Sequence, residues 1–155
     1  MSRAAQILNE LFQSHYPWKL SPGSAGRHGA EYNFKSENGT HYRVNINHYY
    51  GSGNDMDHAE VAFSAGLPLP GVQYTYGRLG GHADSQKVFS TVHHILKQHL
   101  RNHPELKTIG FTGIGKSRVR LYKHFLDRIA PNRVPGKSEF AGIFQLNRED
   151  IAEPL

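Results

Sequence analysis

Two glycine-bearing segments have the composition of a phosphate cradle. The first is Arg78-Leu79-Gly80-Gly81-His82-Ala83, which stands directly before a long helical stretch. Glycine lets a backbone close on an anion, and a helix start offers free N–H groups and partial positive charge. The alternative is a glycine-rich turn that only connects elements. The second is Gly110-Phe111-Thr112-Gly113-Ile114-Gly115-Lys116-Ser117, which satisfies the Walker A string G-x-x-x-x-G-K-[ST]. A working site of that kind needs Mg²⁺ held by the loop hydroxyl and by an acidic residue at the end of another strand. No apolar run ending in Asp follows Ser117. A nucleotide-binding P-loop therefore stands as an alternative to a simple turn with Ser117 as helix cap. For proton chemistry, Asp57, His58 and Glu60 lie at or near one strand, and one of His58 and Glu60 could face a cleft as a base. The plain alternative is exposed strand polar residues, and Tyr122 by itself reads as an inward aromatic on an amphipathic helix.

Metal and hydrolase chemistry find less. No H-E-x-x-H or G-x-S-x-G is present. His99 and His103 stand four apart near a helix end without a nearby carboxylate to complete a set. The neighbours His93 and His94 face different directions on a helix. No metal is expected.

The elements that must position these residues follow from periodicity. Ile7, Leu8, Leu11 and Phe12 recur at helical spacing, so a helix is expected over 2–15, ending before Pro17. Residues 21–30 read as loop. Tyr32 and Phe34, then Tyr42, Val44 and Ile46, alternate as strands around Glu37-Asn38-Gly39-Thr40, a strong hairpin signal. A third strand is expected over Ala59–Phe63, and loop over Gly66–Gly71. Val72–Tyr76 fits either. Val88, Phe89, Val92, Ile95, Leu96 and His99 or Leu100 make one face of a helix over 85–102. Leu106–Thr112 reads as a short buried strand. Ser117–Ile129 reads as a helix with Val119, Tyr122, Phe125, Leu126 and Ile129 inward, and Phe140–Leu146 as a last strand. The sum is one α/β (α+β) domain over 1–155, a mixed central sheet with an N-terminal helix and two main helices packed on it.

This order, with a glycine-rich loop before a long helix, resembles the GCN5-related N-acetyltransferase (GNAT) fold over roughly residues 31–148. In that family a loop of pattern Arg/Gln-x-x-Gly-x-Gly/Ala wraps the pyrophosphate of acetyl-CoA. Here Arg78 and Ala83, with Gly80 and Gly81 between them, carry the likeness. The resemblance implies a cofactor site at Arg78, Gly80, Gly81, His82, Ala83, Asp84 and Ser85. It also implies Arg118 at the cofactor's 3′-phosphate, or else as part of a solvated basic face. Leu121-Tyr122 match the family's Leu-Tyr pair, which implies Tyr122 as acid for the leaving thiolate, with Glu60 or His58 as base. The activity implied is acetyl transfer to an amine of unknown identity. Two features depart from the family: Gly115 stands where Asn is common, and residues 67–76 separate the third strand from Arg78. Lys87–Val92 and Ser117–Tyr122 are also similar to small bacteriophage proteins, which implies a host-cell setting.

Composition bounds these readings. The 155 residues are 37% hydrophobic and include eight Phe, eight Tyr and one Trp, enough for a core. There is no cysteine, which excludes disulfides, thiolate metal sites and a cysteine nucleophile. No run approaches a membrane span, so a cytoplasmic protein without a membrane partner is expected. The net charge of +5 favours anionic partners. Arg118, Arg120, Lys123, His124 and Arg128, with Arg133 and Lys137, could form a basic surface, and Tyr49, Tyr50, Tyr74 and Tyr76 could stack bases. A nucleic-acid or host-protein binding module is therefore the reading from another class.

Overall fold

The computed structural model describes residues 2–4, 15–51, 55–66 and 82–153. Most of the helix expected over 2–15, the segment Val72–Tyr76 and the loop residues Arg78, Gly80 and Gly81 lie outside them. The described residues form an α+β domain with one six-stranded mixed sheet in the order β1 to β6. The strands are β1 (Trp18–Leu20), β2 (Gly29–Lys35), β3 (His41–Tyr49), β4 (His58–Gly66), β5 (Thr108–Thr112) and β6 (Ile143–Asn147). Helix α1 (His82–Asn102) joins β4 to β5, and α2 (Lys116–Ile129) follows β5.

β1 to β4 run antiparallel in sequence order. The Asn38-Gly39 hairpin forms as expected: Ser36 donates its N–H to Thr40 O at 2.9 Å, and Gly39 takes φ 87°. β5 then joins β4 in parallel, over His58↔Thr108, Ala59↔Ile109 and Glu60↔Gly110 alone. Beyond that point β4 runs on to Gly66 paired with β3, and β5 runs on to Thr112 paired with β6. The two central strands thus part into a fork that opens just past Glu60 and Gly110. Both helices begin at the open end, since α1 returns antiparallel to the strands it connects and α2 starts after the end of β5.

Three expectations are corrected. The third strand extends to Gly66, because the start of β3 remains available to pair with it. Phe140 and Ala141 belong to a 3₁₀ turn, Lys137–Ala141, and not to the last strand. Gly142 separates the two with φ 81°, and a Cβ there would stand 2.5 Å from Gly113 O. β1 was not expected at all; a three-residue edge strand is too short to show alternation.

Alternation sorts the sheet into two faces. Tyr42, Val44, Ile46, Val61, Phe63, Ile109, Phe111, Phe144 and Leu146 turn one way and are buried. Both helices pack on that face. Phe63 lies 5.2 Å from Phe125 and 5.5 Å from Tyr122 between ring centroids, and Phe89 of α1 meets it edge-on at 6.4 Å. Each such side chain contributes about 1.5–3 kcal/mol of transfer free energy. The other face carries Glu31, Asn33, Arg43, Asn45, Asn47, His58 and Glu60, with Glu31 and Arg43 paired at 3.0 Å.

The chain end is tied down by His93, whose Nε2–H donates to Ala152 O at 2.7 Å, while Ala152 N–H donates to Ile129 O at 2.7 Å. Burial, opposed by the bond to Ala152 O and joined by smaller effects of His94, Lys97 and Arg128, lowers the His93 pKa to about 4. An unfolded histidine titrates near 6.5. Between pH 6.5 and 4 the unfolded chain therefore takes a proton that the folded chain refuses. Stability is complete above pH 6.5 and falls as the pH drops. Screening at this half-buried site leaves about 1–2 kcal/mol for this group. Gln at position 93 keeps an N–H donor and cannot titrate. We expect His93→Gln to flatten the fall by that amount in urea titrations at pH 7 and pH 4.5. Buried His48 and His99 contribute the same slope to both proteins and cancel in the difference.

Candidate functional site

His58 and Glu60 sit at the crotch of the fork. Two residues apart on β4, they share the polar face, and His58 Nε2 lies 2.7 Å from Glu60 Oε1. The register of β4 against β5 places Thr108 beside His58, with Thr108 Oγ1 2.7 Å from His58 Nδ1. A carboxylate only accepts, so Nε2 carries the ring proton and Nδ1 accepts from the threonine hydroxyl. The result is a fixed chain, Thr108 O–H to His58 to Glu60, of the kind that orients a base. Gly110 makes room for it. A Cβ on Gly110 would stand 2.3 Å from Glu60 Oε1. His58 and Thr108 line an open cleft of about 430 Å³ shared with Tyr50, Gln145 and Asn147.

Tyr122 lies across the sheet from this chain, on the helix-covered face. Its ring is fully buried, 5.5 Å from both Phe63 of β4 and Phe111 of β5. It thus bridges the two arms of the fork where they separate. His82, Ala83, Asp84 and Ser85 form the first turn of α1 at the fork's open end. Arg118 lies in the first turn of α2, half-buried, with Lys116 and Arg120 exposed beside it.

The second phosphate string folds unlike a P-loop. Gly110, Phe111 and Thr112 are paired with Gln145, Phe144 and Ile143, and Gly113 N–H donates to Gly142 O at 2.8 Å. Three of its eight residues belong to the strand ladder, and the Gly113 amide is committed just beyond it. A phosphate cradle needs those amides turned into the loop.

The basic surface is smaller than the sequence implies. Arg133 is buried, held by Asp127 at 3.0 Å and Glu139 at 3.2 Å. Arg128 reaches across to Ser90 Oγ at 3.0 Å and Gln86 O at 3.3 Å. Lys123 pairs with Asp127 at 2.8 Å. These cations hold helices and turns together. Lys116 and Arg120 are exposed at the start of α2, with Arg118 half-buried between them, and that helix's first turn holds no acidic residue.

A second group of polar side chains lies under α1 at the closed end of the sheet. His48 of β3, His99 of α1 and His103 just beyond it offer ring nitrogens within 4.8 Å of one another. Burial holds His48 below its usual pKa and, aided by the neighbouring His103 and His48, lowers His99 to about 3. Sequence reasoning found the His99–His103 pair and missed two partners. His48 comes from a strand fifty-one residues away from His99, and the Glu105 carboxylate stands 3.0 Å from His103 Nδ1. The same reasoning missed Thr108, which only the parallel register brings to His58.

No family model, no curated protein and no solved structure matches this chain. The site is therefore read from its own geometry. Among the described residues no helix is long and apolar enough to cross a membrane.

Proposed function

We propose that the chain binds acetyl-CoA or a related acyl-CoA in the fork between β4 and β5 and transfers the acyl group to an amine. The fork carries this reading. Past Glu60 the β5 side of β4 has no strand partner among the described residues. A strand edge of this kind pairs with an extended chain bearing amides, and pantetheine is such a chain. The open end of the fork suits the nucleotide. Two helices direct their positive ends there, and α2 begins with the exposed Lys116 and Arg120. Cations at a helix N-terminus are unfavourable by themselves. A polyphosphate bound at that end offsets this repulsion. This is also where the family likeness of Arg78–Ser85 would place the pyrophosphate.

At the crotch, Glu60 takes the proton of the attacking amine, and His58 and Thr108 hold its carboxylate in place. The amine nitrogen bonds to the thioester carbonyl carbon, the C–S bond breaks, and Tyr122 gives its hydroxyl proton to the departing thiolate. Glu60 and Tyr122 lie on opposite faces of the sheet and the Tyr122 hydroxyl is buried, so its role as acid, which rests on the family likeness, requires the thioester to enter between the parted strands.

Calorimetry with acetyl-CoA, ATP–Mg²⁺ and a short oligonucleotide tests the reading. Saturable acetyl-CoA binding is expected, retained in Lys116→Ala and abolished in Gly81→Glu, which puts a carboxylate into the loop motif. ATP binding lost in Lys116→Ala, or oligonucleotide binding with a steep salt dependence and no response to acetyl-CoA, would replace it with the P-loop or the nucleic-acid module.

A further inference from the structure

We propose that His48, His99 and His103 form a binding site for a divalent transition-metal ion of zinc type. Three elements converge on it: β3 supplies His48, the last turn of α1 supplies His99, and the turn beyond supplies His103. Their ligand atoms already lie within 4.8 Å of one another. What distinguishes the cluster from a packed group of rings is the arrangement behind it. Each imidazole has its Nδ1 engaged by a group outside the three rings. His48 Nδ1 meets Arg27 O at 3.1 Å, His99 Nδ1 meets the Tyr32 hydroxyl at 2.7 Å, and His103 Nδ1 meets Glu105 Oε1 at 3.0 Å. A carbonyl, a hydroxyl and a carboxylate are the outer partners that hold metal-ligating histidines in one tautomer. With Nδ1 engaged, Nε2 is the ring position left to a metal, as a lone pair on His48 and, on His99, once its proton has moved to Nδ1.

The hydrogen bonds fix the protons of the metal-free cluster. His48 must donate from Nδ1 to a carbonyl, so its Nε2 accepts. His99 lies with Nε2 2.7 Å from that atom, so His99 carries its proton on Nε2 and accepts from Tyr32 at Nδ1. A metal replaces the shared proton between the two rings. The His99 proton moves to Nδ1, where Tyr32 Oη can accept it as the hydroxyl turns, and the net charge of the rings is unchanged. Zinc bonded to nitrogen at 2.0–2.1 Å in a tetrahedron sets ligand atoms about 3.3 Å apart. His48 and His99 therefore need to separate by only about 0.6 Å. His103 is half-buried and borders an open cleft of about 630 Å³ with Arg27, Asp55, Asp57 and Glu105. The cleft gives an ion a way in and leaves the fourth position to water. Three imidazoles with an open position select zinc, cobalt, nickel or copper over magnesium and calcium, which take oxygen ligands.

The test uses the full untagged chain, stripped with chelator and titrated with ZnCl₂ and with MgCl₂ in a calorimeter. Co²⁺ replaces zinc as an optical probe. We expect one zinc per chain, no magnesium binding, and visible cobalt bands of tetrahedral type. His103→Ala removes the most exposed ligand without opening the core. It should weaken zinc binding by more than the roughly 10–100-fold lost on removing only an outer partner of a ligand, while leaving the circular dichroism melt of the metal-free protein in place. His124→Ala, at an exposed histidine of α2, should bind zinc as the parent does. Absence of saturable zinc binding to the parent overturns the proposal, and so does equal zinc affinity in the parent and His103→Ala.

Discussion

Replacing Phe63 by alanine should cost the fold about 3–5 kcal/mol. Phe63 lies on the part of β4 that β5 has already left. Its ring contacts Phe89 of α1 and both Tyr122 and Phe125 of α2, so it is the point where both helices meet the sheet. The loss combines the transfer free energy of a large aromatic with a cavity that three aromatic rings cannot fill without moving. Measured against a typical domain stability of about 5–15 kcal/mol, this brings the protein close to its unfolding threshold. Urea titration should show a lower midpoint at an unchanged slope, as expected when the unfolded surface stays the same. Phe63→Leu, which keeps most of the volume, should recover the greater part. A loss below about 1 kcal/mol for Phe63→Ala would mean that the helices are held to the sheet mainly elsewhere.

The second large effect is on activity. With acyl transfer as the reaction, Glu60→Gln should lower turnover about 10²–10⁴-fold, the range for removal of a positioned base. Glutamine is nearly isosteric and can still accept the hydrogen bond from His58 Nε2, so the melting temperature should hold. His58→Gln should lower turnover less, because it removes the group that positions the carboxylate and leaves the carboxylate itself. Gly110→Ala provides an independent route to the same result: its Cβ would stand 2.3 Å from Glu60 Oε1 and displace the carboxylate without altering its chemistry. Steady-state rates at saturating acyl-CoA, with binding of acyl-CoA measured separately, distinguish a lost base from a lost cofactor. Turnover in Glu60→Gln equal to that of the parent would remove Glu60 from the chemistry.

The sequence made the core legible because its apolar residues follow the periods of their elements. Tyr42, Val44 and Ile46 alternate on a strand, and Val88, Val92, Ile95 and Leu96 recur on a helix; all are buried. The Asn38-Gly39 turn was equally plain, since Gly39 takes the left-handed φ that a glycine there accepts without strain. The site was half legible. His58 and Glu60 share a strand, so their common face follows from spacing alone. Thr108 and the third imidazole His48 depend on which strands lie side by side, and no local pattern encodes that. Gly110 shows the limit from the other direction. Within the string Gly110–Ser117 it resembles part of a phosphate loop, but its lack of a side chain serves a carboxylate on the neighbouring strand. Arg128 and Arg133 looked like surface charge because cations are usually exposed. Ser90, Asp127 and Glu139, which hold them, are distant or scattered enough in the chain to give no signal.

The short parallel ladder between β4 and β5 also bears on how the molecule assembles. β1 to β4 pair with their nearest neighbours in the chain, so each closes a small loop. The contact between His58 and Thr108 spans fifty residues, and that closure brings little ladder with it while the entropy of the long loop opposes it. Contacts of this separation slow folding. The meander needs only short closures, whereas the fork, like the contacts of His48 with His99 and of His93 with Ala152, needs segments fifty or more residues apart to meet. The crotch of the fork is therefore one of the costly closures of this topology.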